Sequence, residues 1–128
     1  MSKSRIIELI CVYDFKRSIY DRLMALFGKH PFNPSCPLSQ LTSSGPHLKL
    51  EWVDFAKHCP VPISYVYLDN TTTELYYPTH KKTPCIVAKC THNQYILLLE
   101  HSQLSQCYHL SQLENDLNLA IYKKFLTF

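Results

Sequence analysis

Only two of the 128 residues, Gly28 and Gly45, are glycine, against eight prolines. A backbone that must approach a phosphate closely, or turn through positive φ, usually needs glycine at that point. The scarcity therefore argues against phosphate-cradling loops and the nucleotide-binding folds built on them. It leaves short connections made of Pro, Asn, Asp, Ser and Thr. Between them the chain carries enough apolar material for a self-sufficient core, 46% hydrophobic residues including nine Tyr, six Phe and one Trp. At this length roughly two-thirds of the unfolded surface is buried on folding, so one domain spanning residues 1–128 is expected.

The apolar runs set the expected architecture. Residues 5–13 are rich in β-branched side chains and read as a buried strand, with a helix from Ser4 as the alternative. Residues 15–27 place Phe15, Ile19, Tyr20, Leu23, Leu26 and Phe27 on one helical face, with Arg17, Ser18, Asp21 and Arg22 opposite. Asp14 is the candidate N-cap of that helix and Gly28 its stop. Residues 29–46 then form a long connection rich in Pro and Ser. Beyond it, strand-like runs fall at 48–55, 63–69, 73–77, 85–90 and 95–100, separated by turn residues. Short links between consecutive strands imply antiparallel neighbours. The expectation is an α+β fold: a largely antiparallel meander of about five strands, possibly joined by the N-terminal one, with an N-terminal and a C-terminal helix. The last helix is announced by Ser111-Gln112-Leu113-Glu114, a capping-box pattern, followed by Leu113, Leu117, Ala120, Ile121 and Phe125 at helical spacing. Lys123 and Lys124 near its end complement the helix dipole.

The opening stretch, residues 1–14, has an apolar run broken by Glu8 and ended by Asp14, without a small-residue cleavage site. No run reaches the ~18 apolar residues of a membrane span. The expectation is an intracellular protein, of cytoplasm or nucleus, that does not engage a membrane and whose six Cys are thiols. Asn70-Thr71-Thr72 is then a turn rather than a glycan acceptor.

Chemistry is sparse. No nucleophile elbow, zinc-protease helix, phosphate loop or zinc-deaminase pattern occurs, and the ten acidic residues are spread singly. On a strand His58 and Cys59 would point to opposite faces and could not act as a dyad. An enzyme is not indicated, and no catalytic residue is assigned. Cys90-Thr91-His92 and Cys107-Tyr108-His109 form a symmetric pair that a zinc ion could join. A strand between them would carry the chain about 20 Å away, at roughly 3.3 Å per residue, and residues 101–108 would have to run straight back. The simpler reading makes these Cys small buried apolar groups, with no cofactor. For single-stranded nucleic acid the candidates are Lys16, Arg17, His80, Lys81 and Lys82, beside Tyr65, Tyr67, Tyr76 and Tyr77 as stacking platforms on adjacent strands. Burial explains those tyrosines equally well, and the +3 charge is mild.

Pro31-Phe32-Asn33-Pro34-Ser35-Cys36-Pro37 places proline at every third residue, so a polyproline II helix would align Pro31, Pro34 and Pro37 along one edge. Such an edge can dock in an aromatic groove, though packing on the chain's own surface is the plainer role. The apolar end, Phe125 to Phe128, suggests burial or an interface, such as a homodimer contact. No stretch carries a family signature. The texture, short, Gly-poor and rich in Tyr, Cys and His, is similar to that of small viral accessory proteins. That likeness implies a regulatory module in a host–virus interaction. The expected function is non-enzymatic protein binding through Pro31, Phe32, Pro34 and Pro37, the tyrosine face or Phe128, with nucleic-acid binding and a zinc-stabilised domain as alternatives.

Overall fold

A computed structural model describes residues 5–125. The chain is mixed α+β, built on a four-stranded sheet of order β4-β1-β5-β6. Strand β1 (Ile6–Val12) and strand β5 (Cys85–Cys90) occupy the centre. Apart from Glu8 and Lys89 both are apolar throughout, as suits strands covered on both faces. β1 pairs antiparallel with β5, Cys11 opposite Ile86, and β5 pairs antiparallel with β6 (Gln94–Leu99). On its other side β1 runs parallel to β4 (Ile63–Val66), with Leu9 opposite Ile63 and Val12 opposite Val66.

That parallel pair corrects the meander. Parallel neighbours need a crossover connection, commonly helical, and residues 13–62 supply it with α1 (Ile19–Ala25), α2 (Pro37–Thr42), a two-residue ribbon of β2 (Ser43–Ser44) and β3 (His47–Leu48), and α3 (Leu50–His58). The 29–46 connection is thus partly helical. Two expected strands are helices. In 48–55 the alternation of Leu48, Leu50 and Trp52 looks strand-like, but Trp52, Phe55, Ala56 and Cys59 recur at helical spacing. Trp52 is fully buried and stacks on Phe55 at 5.4 Å. Residues 73–77 lie in α4 (Thr73–Thr79), which sets Leu75 into the core; the buried Thr79 hydroxyl donates back to the Leu75 carbonyl at 2.8 Å.

The sheet separates two clusters. On one face Leu9, Cys11, Ile86, Ala88 and Leu98 pack under α2, α3, α5 (His101–Ser105) and α6 (Leu110–Phe125), which contribute Leu38, Trp52, Leu104, Leu113, Leu117 and Ile121. On the other, Ile10, Val12, Cys85 and Val87 meet Leu75 of α4. Helix α6 starts earlier than its capping box suggests. The Gln112 side-chain oxygen reaches back to accept from the backbone N–H of Tyr108 (2.7 Å) and His109 (2.9 Å), which leaves Ser111 inside the helix. Among the described residues no helix is long and apolar enough to cross a membrane.

Candidate functional site

Helix α1 forms as its residues dictate but does not do what its stripe predicts. Its N-cap is Ser18, not Asp14. The Ser18 hydroxyl accepts from Asp21 N–H at 3.0 Å and the Asp21 carboxylate accepts from Ser18 N–H at 2.9 Å. This reciprocal box is visible in the residues as Ser followed three positions later by an acid. Residues 15–17 stay out of the helix because they are tied to the turn after β4. Leu68 N–H donates to the Phe15 carbonyl at 3.1 Å, and Arg17 N–H donates to Asp69 Oδ1 at 3.0 Å. The stop is where glycine was expected. Gly28 has φ of +74°, and Lys29 N–H donates to the Met24 carbonyl at 3.2 Å, six residues to one as in a Schellman ending.

A single carboxylate orients the helix. Asp69 Oδ2 accepts from Arg22 Nη2 at 2.8 Å and Arg17 Nε at 3.3 Å, and the Arg17 guanidinium lies over the Tyr67 ring at 5.4 Å. Burial raises the Asp69 carboxyl, but the Arg17 backbone N–H and the Arg22 guanidinium outweigh it and hold the pKa down at about 2. Tyr67 stacks on Tyr13 at 5.2 Å, so the clamp is anchored to the core.

Held in this way, α1 buries none of its residues. Ile19 is 86% exposed, Tyr20 65%, Leu23 52%, Leu26 80% and Phe27 69%. These are the residues expected on one helical face, except Phe15, which lies before the helix and packs on Tyr13 at 5.8 Å. Beside them, a cavity of about 310 Å³ is lined by Tyr20, Met24, His30, Phe32 and Pro46, among others. Burial lowers the His30 pKa, with His47 adding to the effect, which favours a neutral imidazole there. Exposed apolar patches of this kind on a folded protein mark interaction sites.

The residues singled out from the sequence are dispersed. Pro31 is buried, Pro37 opens α2, and Asn33 turns the chain between them by accepting from Ser35 N–H and Cys36 N–H; no continuous polyproline edge forms. Pro34 is exposed, and Phe32 is 37% exposed at the α1 cavity. The expected tyrosine ladder is also corrected. Tyr65 is half-buried and accepts from Trp52 Nε1 at 2.9 Å, Tyr67 is buried, and Tyr76 and Tyr77 belong to α4 rather than to a strand. Phe128 lies outside the described residues.

Among the basic candidates Lys16, Lys81 and Lys82 are exposed, His80 rests against the Tyr76 ring at 4.8 Å, and Arg17 is engaged by Asp69. Cys90 is fully buried while His92 and His109 are exposed. Among the described residues no group of three or more His, Cys, Asp and Glu is placed to hold one metal ion. Burial pushes the thiols of Cys36 and Cys107 up to about 11 and that of Cys85 to about 12, so they are protonated and weakly nucleophilic at neutral pH. The sequence pointed to the α1 stripe but not to its exposure.

No protein-family model, curated protein or solved structure matches this chain.

Proposed function

We propose that this protein is a non-enzymatic binding module that engages another protein through the apolar face of α1. One observation carries the reading: five large apolar side chains at helical spacing stand in solvent along α1 and the turn that ends it, a segment whose both ends and orientation are fixed by hydrogen bonds. Ile19, Leu23, Leu26 and Phe27 fall at i, i+4, i+7 and i+8, the anchor pattern by which an amphipathic helix enters a groove. Because the capping box and Asp69 order the helix before binding, docking forfeits little conformational entropy. Phe32 and the adjoining cavity extend the surface, which keeps one of the residues expected to bind.

The test is a Leu23→Asp/Leu26→Asp variant compared with wild type in proximity crosslinking inside cells. Both positions are exposed, so the unfolding midpoint should stay within ~0.5 kcal/mol of wild type. Partners lost from the variant while its stability is unchanged support the reading. Identical crosslinks from both proteins would remove it, and binding of wild type to lipid vesicles alone would assign the face to a membrane surface.

A further inference from the structure

A second surface, independent of α1, lies along the free edge of the sheet. β6 is the last strand, so half of its backbone N–H and C=O groups point away from β5. Among the described residues no hydrogen bond joins the backbone of residues 95–99 to any element other than β5. Natural edges are commonly covered or blunted, because an open one templates pairing. Here a groove of about 800 Å³ runs along this edge, with residues 95–99 as its floor and α5 and α6 as its wall.

The groove is polar at both ends, with opposite signs. Glu100 immediately precedes α5. Cys107, just after α5, donates to Asp116 Oδ2 at 3.5 Å, which sets Asp116 near the carboxyl end of β6. Lys123 and Lys124 lie seven and eight residues further along α6, so the helical rise carries them roughly 10–12 Å from Asp116 along the wall of the same groove. Between the poles the lining is apolar, with Leu97 on the strand and Leu119 and Ala120 on the helix; Leu119 is 48% exposed. Leu98 is an extra residue against β5, so the regular ladder covers residues 94–97.

We infer that this edge pairs with a second copy of the same chain, β6 against β6 antiparallel about a two-fold axis. An antiparallel two-fold sets the amino end of one strand against the carboxyl end of the other. Lys123 and Lys124 of each protomer then face the partner's Glu100 and Asp116, and Leu119 meets its own equivalent near the axis. An unrelated extended peptide would satisfy the backbone groups equally well, but only a second copy is bound to carry the complementary charges in the reversed order. The sheet becomes eight-stranded, with α6 and its equivalent side by side on one face.

Charge reversal tests this arrangement by sedimentation velocity. Lys123→Glu/Lys124→Glu should weaken self-association by roughly tenfold or more, as should Asp116→Lys, because each makes like charges meet twice. An equimolar mixture of the two variants should recover wild-type affinity as a heterodimer, with amide exchange slowed at residues 95–97. Asp116→Asn, which removes the charge but keeps an acceptor for Cys107, serves in place of Asp116→Lys should the latter lower the unfolding midpoint. A monomer at high micromolar concentration, or a dimer unmoved by either reversal, overturns the proposal. The Leu23→Asp/Leu26→Asp protein should still dimerise, which separates this surface from the α1 face. Loss of the dimer in that variant would place self-association on α1 and also overturn the β6 pairing.

Discussion

Helix α6 buries Leu113, Leu117 and Ile121 of its apolar stripe to 0–2% exposure, set between the sheet and α3. Helix α1 carries an equally clear stripe and leaves it in water. The difference does not lie in the helices' own residues, since both have spacing, capping and terminal signals of the same kind. It lies in what surrounds them. α6 can reach across the sheet because β6 and α5 deliver it there through short links. α1 is held by Asp69 at the rim, while α2 and α3 behind it turn their own apolar sides to the sheet. Amphipathicity states that a face is suited to burial; it is silent on which body buries it.

The largest expected effect contrasts the two stripes directly. Leu117→Ala should destabilise the fold by about 2–5 kcal/mol, as buried Leu truncations do, whereas Leu23→Ala should change it by less than about 0.5 kcal/mol. Denaturant unfolding of both variants measures this, and a large loss at Leu23 would mean that α1 packs on its own domain. Next in size is the clamp. Asp69→Asn removes charge-assisted bonds of about 1.5 kcal/mol or more. Amide exchange in residues 22–26 should quicken by roughly tenfold while that of α6 is unchanged.

The pH response of this clamp follows from its sign. The folded Asp69 pKa, about 2, lies below the ordinary carboxylate value of about 3.9. Its stabilisation is therefore complete above about pH 4 and lost as the pH falls toward 2. Acid should loosen α1 in wild type, and that increment should be missing in Asp69→Asn. The smallest effect is at the helix stop. Gly28→Ala meets no atom within 4 Å, so only its left-handed backbone opposes it, at about 1 kcal/mol, confined to the last turn of α1.

The three strands that the residues describe well are those whose character is local. The runs expected at 5–13, 85–90 and 95–100 are found at Ile6–Val12, Cys85–Cys90 and Gln94–Leu99, and the run expected at 63–69 is a strand over Ile63–Val66 only. Each is a continuous or alternating apolar run bounded by turn residues. Residues 48–55 and 73–77 are helical because a few strand-forming side chains in a short window weigh little against a distant core. Trp52 turns inward under α6 and Leu75 caps the second face. The site is half legible: the α1 stripe and the Gly28 stop are local signals, but Asp14 and the Ser18–Asp21 box compete as the helix start, and only the structure decides for Ser18. The Arg17–Asp69 contact joins residues 52 positions apart, beyond any local pattern.

Composition and periodicity alone pointed to a Gly-poor α+β chain with an apolar interior, an N-terminal run suited to a buried strand and two amphipathic helices, because such signals repeat every two or 3.6 residues within one segment. The parallel placement of β4, the covering of one stripe and exposure of the other, and the free edge of β6 came from the assembled molecule. Each depends on which surfaces meet across long stretches of chain, and the closure of those contacts is a property of the whole packing rather than of any segment.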